Sequence, residues 1–466
     1  MSRTPFSDEP RFPSTGPRPA PPMRDSDAPH APTTSEVPRA GAGRILIFAL
    51  IFFGLGVTEE VSNNVLPLTL QRMTADFSWS VDLPFRLPGL APDGVFTMGS
   101  ALVIGLVLAL NPLFGFIAQP LVGVLSDRVW TRVGRRAFFL ITGAPVVAVC
   151  LFLVPWASAL WQLVVLVVIY QFFQDVLWGS DHPLLADLFP SRQRGIVGAA
   201  IGVAYQLGAV FVTRAGLAWT AAHERTHGGD LFGAPIYWAA AAIQVGLVMG
   251  LAFFLWERRL PVMKRPRLTP GQYVRDFRAQ PGLVRLGWVN FLRAFMVTAG
   301  TGYLVLFGTV TLAADKADYA RAMGWLPLLA LVFVWPAGLL TDRLARDRVL
   351  MAAFLLSAVG YAVGWMADSL AWLSVAFVIT RLAWVNIEIG YKSLVSDFYP
   401  VHQVGQLAGA INIFYASGRT LALVSVGALI GAFGNDYRLA WPVAIAAALV
   451  SIWVLRGVRD PRSPSP

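Results

Sequence analysis

The chain has 466 residues, of which 56% are hydrophobic and only 14% are charged, whereas soluble domains average about 25% charged residues. Its apolar stretches repeatedly reach the ~20 residues that cross a bilayer, which excludes a soluble enzyme, a secreted disulfide scaffold and a disordered protein. The net charge of +10 requires no nucleic-acid partner, because Lys and Arg at one membrane surface can serve to set topology.

Residues 1–43 contain ten prolines and no apolar run, which predicts a disordered tail. Apolar segments then recur to the end of the chain, each bounded by charges, Pro or Gly. They predict an all-α integral membrane protein with twelve transmembrane helices. The predicted spans are 45–70, 96–125, 137–156, 160–188, 196–221, 235–256, 284–312, 323–341, 349–367, 371–397, 406–433 and 440–456.

The basic residues favour one orientation of these spans. If the N-terminus is cytoplasmic, 26 Lys and Arg fall on the cytoplasmic side and six on the other side. This positive-inside bias predicts that both termini are cytoplasmic. We therefore expect a multi-pass protein of the cell (cytoplasmic, or inner) membrane.

An internal repeat predicts two halves of six helices. Residues 184–205 match residues 394–415 at eight of 22 positions, including Asp187 with Asp397, at an offset of 210. Parallel repeats of this kind build transporters that bind their solute near the midplane. The predicted domains are a tail at 1–43, a six-helix bundle at 44–257, a basic cytoplasmic linker at 258–283, a second bundle at 284–457 and a tail at 458–466.

Two loops carry a family resemblance. GVLSDRVWTRVGRR, from Gly123 to Arg136, resembles the signature loop of the major facilitator superfamily, and LTDRLARDR, from Leu340 to Arg348, resembles its counterpart in the second half. More narrowly, SDRVWTRVGRRAFFLITGAP followed by LLADLFPSRQRG resembles the glycoside–pentoside–hexuronide:cation symporters, which include sucrose transporters. The resemblance implies the major facilitator fold and a solute cavity between its halves.

Charged residues at the cytoplasmic helix ends predict a conformational latch. A carboxylate can cap a helix N-terminus, and arginines can pair with acidic groups at neighbouring helix ends. The alternative is that these arginines only set the topology. The latch candidates are Gly123, Asp127, Arg128, Arg132, Arg135, Arg136, Asp187, Arg194, Asp342, Arg343 and Asp397.

Polar side chains inside the spans predict the solute site, because an ionisable residue there costs about 2.5–3.5 kcal/mol even on the most lenient scale. Amides and Arg offer hydrogen bonds to a hydroxyl-rich ligand, and Trp and Tyr offer flat faces for sugar rings. The predicted substrate-binding residues are Asn63, Asn64, Gln171, Gln174, Trp178, His182, Arg293, Arg381, Asn412, Tyr415 and Arg419. The predicted ion-coupling residues are Glu60 and Asp175, followed by Glu59 and Glu388.

Some of these residues have a second interpretation. Glu388 and Lys392 are four residues apart and also fit a neutralising ion pair, and Trp178 also fits a packing role. Sucrose transporters carry an Asp at the position that aligns with Gln171 and an Arg that aligns with His182. Asp175, one turn from Gln171, is a candidate replacement for that Asp.

The predicted function is secondary transport of a small polar organic solute, a sugar or glycoside, by alternating access with proton or sodium symport. The chain has no Walker sequence, which disfavours ATP-driven transport. It also shows no metal-ligand cluster or nucleophile motif, so we expect no cofactor and no enzyme activity. We further expect a monomer whose partners are its solute, its ion and the bilayer. The alternatives are an exporter of amphipathic compounds and a non-transporting membrane assembly or sensor protein on the same fold.

Overall fold

The computed structural model describes residues 39–82, 95–126, 130–255, 275, 277–398 and 404–458. Within these residues, twelve helices are long and apolar enough to cross a membrane, which confirms the predicted number. They are α1 Ala42–Met73, α2 Ser100–Gly123, α3 Ala137–Trp156, α4 Leu160–Ser180, α5 Arg194–His227, α6 Ala234–Ala252, α7 Gly282–Thr311, α8 Lys316–Arg343, α9 Arg346–Trp365, α10 Leu370–Ser396, α11 Gly409–Ala432 and α12 Tyr437–Leu455.

Some helical segments extend past these bounds. Helix continues from α2 to Ser126 and from α4 to Leu188, and it begins at Val404 before α11. Parts of three predicted segments lie outside the described residues. They are the tail at 1–43 up to residue 38, most of the basic linker at 258–283, and the C-terminal residues from 459.

Local capping explains where two helices differ from their predicted bounds. The helix of α8 begins at Lys316 instead of 323, because the Asp315 side chain accepts a hydrogen bond from the backbone N–H of Ala317 and caps the first turn. Helix α5 continues through a polar turn to His227 and ends at Gly228, whose φ of 58° suits a helix C-terminus.

Two short strands lie between α1 and α2. Strands β1 (Trp79–Asp82) and β2 (Val95–Met98) pair antiparallel, with Trp79 opposite Met98. These strands were not predicted, and the predicted span 96–125 is wrong at its start, because residues 96–98 pair as part of β2. They lie at the end of the helices that is opposite the two chain termini.

Helix packing repeats from the first half to the second. In the first half α1 packs on α5 and α6, and α4 packs on α2 and α3. In the second half α7 packs on α11 and α12, and α10 packs on α8 and α9. The halves meet where α2 contacts α11 and where α5 contacts α8. This is the predicted arrangement of two six-helix bundles.

Glycines allow α2 and α11 to approach backbone to backbone. A Cβ atom at Gly105 would overlap the carbonyl oxygen of Leu423 and the hydroxyl of Tyr303, and one at Gly427 would lie 2.7 Å from the carbonyl oxygen of Ala101. Only glycine fits such a crossing. This close contact joins the two halves near the end of the molecule opposite the termini.

Polar contacts reinforce the same end. Lys316 Nζ lies 2.7 Å from Glu224 Oε2, and the Tyr437 hydroxyl donates to Gln71 Oε1 at 2.5 Å. The backbone N–H of Gly99 donates to the carbonyl of Gly431 at 3.0 Å. Each of these contacts links one half to the other, so the halves are held together at the end away from the termini.

Candidate solute-binding cavity

A cavity of about 350 Å³ lies between the two halves. Helices α1, α2 and α5 form its wall in the first half, and α7, α8, α9, α10 and α11 form its wall in the second half. Its polar and aromatic lining consists of Glu59, Glu60, Ser62, Asn63, Asn64, Asn111, Tyr205, Gln206, Thr213, Thr298, Thr301, Tyr319, Tyr361, Phe377, Thr380, Arg381, Trp384, Tyr415 and Arg419.

A π-helical turn in α1 presents several of these side chains. The turn covers Val61–Val65 and contains Asn63 and Asn64. Pro67 follows it and has no N–H to donate to the carbonyl of Asn63 four residues earlier, so the regular α-helical ladder is interrupted there. Wide turns of this kind are frequent at functional sites. The turn places a run of polar residues on the cavity wall.

Opposite charges line the two walls. Glu59 and Glu60 come from α1 in the first half, and Arg381 and Arg419 come from α10 and α11 in the second half. Glu60 Oε2 accepts a hydrogen bond of 2.7 Å from Asn64 Nδ2. The acidic and basic side chains are therefore presented to a shared space from separate bundles.

Aromatic rings surround the basic side of the cavity. The guanidinium of Arg381 lies 4.8 Å from the ring centre of Phe377 and 5.4 Å from that of Trp384. Tyr361 and Tyr415 also line this wall. Such cation–π contacts hold an Arg side chain in place while its N–H groups stay available to a ligand.

A chain of hydrogen bonds connects the wall of the second half to the first half. Arg419 Nη2 donates to Asn111 Oδ1 at 3.3 Å, and Asn111 Nδ2 donates to Gln171 Oε1 at 2.9 Å. Gln171 Nε2 then donates to Ser62 Oγ at 2.6 Å. Asn111 uses both ends of its amide and so fixes the position of Arg419 relative to α4.

Asp175 lies behind the cavity wall, between α4 and α2. Its Oδ1 accepts a hydrogen bond of 3.0 Å from Gln119 Nε2, and its Oδ2 is buried with no hydrogen-bond partner among the described residues. A carboxylate enclosed in this way is costly to keep charged. Gln174, one residue earlier, is fully buried and donates to Thr58 Oγ1 at 2.8 Å.

Arg293, Glu388 and Lys392 form an ion cluster in the second half. Arg293 on α7 pairs with Glu388 on α10, and Lys392 Nζ lies 2.8 Å from the other carboxylate oxygen of Glu388. The Arg293 guanidinium also lies 4.7 Å from the ring centre of Tyr391 and 5.0 Å from that of Tyr415. The predicted neutralising pair of Glu388 and Lys392 is thus present, and Arg293 is a second cation beside Glu388.

The predicted substrate-binding residues divide into two groups. Gln171, Gln174 and Arg293 are buried behind the wall, and Trp178 packs against Tyr205, which lines the cavity. Asn412 is exposed on α11, and the side chain of His182 lies outside the described residues. Those that line the cavity are Asn63, Asn64, Arg381, Tyr415 and Arg419.

Of the predicted ion-coupling residues, Glu59 and Glu60 line the cavity, Asp175 lies behind it and Glu388 is in the ion cluster.

Several lining residues were not among those predicted from the sequence. Asn111 and Ser62 are polar residues in apolar spans, so the rule that selected the other candidates could have found them. The aromatic residues Tyr361 and Trp384 gave no such signal, because Trp and Tyr in a membrane helix also serve as anchors at the membrane surfaces.

Three of the latch candidates, Asp187, Arg135 and Arg136, form ion pairs in the first half. Asp187 Oδ2 lies 2.7 Å from Arg135 Nη2 and 2.9 Å from Arg136 Nη1. Arg194 donates to the carbonyl of Phe189 at 3.2 Å. Arg132 is exposed. Gly123 has open space beside it, because a Cβ atom added there would have no other part of the protein within 4 Å. Asp127 and Arg128 lie outside the described residues.

In the second half the corresponding acid has a partner that was not predicted. Asp397 pairs with Arg346, whereas Asp342 and Arg343 are exposed at the end of α8. Arg346 follows Arg136 by 210 residues, which is the same offset that relates Asp397 to Asp187. The repeat offset could therefore have identified Arg346.

One short motif on α5 has the residue spacing of a zinc site, but its side chains make other contacts. Residues His223–His227 read H-E-R-T-H, which matches the H-E-x-x-H zinc pattern. However, the two imidazole rings stack on each other with centres 4.2 Å apart, and Glu224 pairs with Lys316. No group of three His, Cys, Asp or Glu that could hold a metal ion occurs among the described residues.

Comparison with known proteins identifies the family. Residues 46–422 match the model of the Major Facilitator Superfamily, and the chain belongs to this superfamily of membrane transporters. Its members bind small-molecule solutes, and they are not enzymes.

Curated relatives share about a quarter of the sequence. The general alpha-glucoside permease of Schizosaccharomyces pombe is 24% identical over 60% of this chain. The matched region spans only 56% of the permease's own length. The tetracycline resistance protein, class C, of Escherichia coli is 26% identical over 85% of this chain and 97% of its own length. The multidrug resistance protein MdtG of Salmonella dublin is 25% identical over 76% of this chain and 84% of its own length.

Solved structures share the fold. A D-xylose-proton symporter superposes with a TM-score of 0.65 at 16% identity, covering 91% of this chain and 99% of the symporter. A bacterial homolog of the human lysosomal transporter Spinster, in an inward-facing and unoccupied conformation, gives a TM-score of 0.64 at 13% identity, covering 91% and 98% of the two chains. Both likenesses agree with the fold described above.

Proposed function

We propose that this protein is a secondary transporter that carries a sugar or glycoside across the membrane together with a proton, by alternating access. The observation that carries the proposal is the composition of the cavity. Two carboxylates, several amides and hydroxyls, two arginines and four tyrosines line one space that both halves share. Such groups suit a hydroxyl-rich ligand with flat sugar rings.

The carboxylates of the first half are the proposed proton carriers. Glu60 faces the cavity and is hydrogen-bonded to Asn64, and Asp175 is buried beside Gln119. Intramembrane acids at such positions serve as proton relays in transporters. Glu59 shares the cavity with Glu60 and is the next candidate. Glu388 already has two cationic partners, so we assign it to the ion cluster instead of the coupling step.

The contacts that join the two halves at one end of the molecule fit transport by alternating access. With both termini on the cytoplasmic side, the contacts of Glu224 with Lys316 and of α2 with α11 close the external end. We propose that the Asp187 and Asp397 ion pairs shape the cytoplasmic ends of the helices that meet when the protein changes state. The likeness of residues 120–200 to the glycoside–pentoside–hexuronide:cation symporters supports the choice of a sugar, and we propose that a monomer in the cell membrane is the working unit.

The test uses purified protein in liposomes with an imposed inward proton gradient. A panel of labelled glycosides is supplied outside, and a pH-sensitive dye in the lumen records proton entry. We expect a glycoside to accumulate while the lumen acidifies. Accumulation driven only by a sodium gradient would replace the proton by sodium, and no uptake of any sugar by folded protein would overturn the sugar assignment.

Variants locate the coupling step. We expect Glu60→Gln and Asp175→Asn to reduce gradient-driven accumulation at least tenfold while exchange of solute without a gradient continues. Asp368→Asn removes one exposed acid in the loop between α9 and α10 and serves as the matched control. Undiminished pH-driven uptake in Asp175→Asn would remove Asp175 as a carrier.

Export of amphipathic compounds is the second candidate function. The observation in its favour is the likeness to a tetracycline resistance protein over 97% of that protein's length. The polar lining of the cavity favours the sugar. Drug-dependent proton efflux from the same liposomes, without any glycoside response, would support the exporter.

A further inference from the structure

A groove lies on the outer surface of the second half, between α9 and α12 and apart from the central cavity. The groove is open to the surface and has a volume of about 520 Å³. Its walls are apolar and include Leu355 on α9 and Leu449 and Trp453 on α12, of which 54%, 49% and 72% of the surface is exposed. Because both helices span the membrane, these side chains face the acyl chains of the bilayer.

One end of the groove carries positive charge. Arg456 lines the groove at the end of α12. Arg348 precedes Met351 by three residues and Ala352 by four, so it lies on the groove face of α9. Since α9 begins and α12 ends on the side of the chain termini, the two arginines lie at the same end, and both are exposed. Asp347 is the nearest acid on α9, and it points about 100° away around the helix.

We propose that this groove binds an anionic phospholipid. The acyl chain lies along the apolar walls, and the phosphodiester headgroup contacts Arg348 and Arg456. Guanidinium groups bind phosphate oxygens through charge-assisted hydrogen bonds, and basic pockets between membrane helices bind anionic headgroups. A zwitterionic lipid fits the same walls but brings no net negative charge to the arginines. The arginines therefore select the headgroup, and the apolar walls bind the chain.

Native mass spectrometry of the full-length protein tests this site. The protein is released from micelles that contain equal amounts of phosphatidylglycerol and phosphatidylcholine with the same acyl chains. We expect one bound phosphatidylglycerol to be retained at least tenfold more often than phosphatidylcholine. The double variant Arg348→Gln/Arg456→Gln should lose this preference, and Ala352→Trp, which fills the groove and keeps both charges, should lose the bound lipid altogether.

The matched control is Arg192→Gln/Arg275→Gln, which removes two exposed cations from the same side of the membrane. It should retain phosphatidylglycerol as the unmodified chain does. Equal retention of the two lipids by the unmodified chain, or equal loss in the control and in the Arg348/Arg456 variant, would overturn the proposal. The measurement involves no transport, so its result is independent of the proposed function.

Discussion

Lys316 Nζ lies 2.7 Å from Glu224 Oε2 and joins the start of α8 to the end of α5 across the two halves. Arg72 lies 3.9 Å from the other carboxylate oxygen of Glu224. These charges are partly exposed, and an ion pair of that kind contributes about 0.2–1 kcal/mol. The pair is therefore suited to a contact that, under the proposed alternating access, breaks and re-forms in each transport cycle.

Replacing this carboxylate should favour opening at the end away from the termini. We expect Glu224→Gln to raise the labelling rate of a cavity cysteine from that side by roughly two- to fivefold, as a loss of up to ~1 kcal/mol implies. The reporter is Thr301→Cys in a Cys150→Ser background, because Cys150 is the only native cysteine. An unchanged labelling rate would show that the pair does not control this end.

The crossing of α2 and α11 should not tolerate a side chain at Gly105. A Cβ there overlaps the Leu423 backbone and the Tyr303 hydroxyl, so Gly105→Ala forces the halves apart. We expect transport to fall at least tenfold and labelling of the cavity from this end to rise. Gly246→Ala is the control, because its Cβ meets nothing within 4 Å, and it should change transport less than twofold.

The two equivalent acids of the repeat should differ in importance. Asp187 is shared by Arg135 and Arg136 and is 11% exposed, whereas Asp397 pairs with Arg346 and is 29% exposed. The more buried carboxylate opposes more positive charge. We therefore expect Asp187→Asn to lower transport and the melting temperature more than Asp397→Asn does. Equal effects in uptake and thermal unfolding assays would contradict this ranking.

The buried cluster of the second half should be sensitive to the loss of one partner. Arg293 is 6% exposed, and Glu388→Ala leaves it in the protein interior with its main counter-charge removed. Breaking a buried pair in this way costs about 3–5 kcal/mol, which thermal unfolding in detergent would detect. The double variant Arg293→Met/Glu388→Leu should recover most of that lost stability, because it removes both charges. If the double variant is as unstable as Glu388→Ala, the lost stability comes from packing and not from the unpaired charge.

The sequence by itself determined the number of helices and the division into halves, because hydropathy and an internal repeat are properties of consecutive residues. It also identified Glu60, Asn64 and Arg381 as polar residues in apolar spans, since the membrane penalises such residues wherever they point.

Only the tertiary structure decided which of these residues share a cavity. The π-helical turn Val61–Val65 changes the face that α1 presents, so regular 100° spacing does not describe this wall. The packing of α2 against α4 places Asp175 and Gln171 behind the cavity, and the packing of α10 on α9 pairs Asp397 with Arg346. These outcomes depend on contacts between helices that are distant in sequence, which the pattern of a single span does not contain.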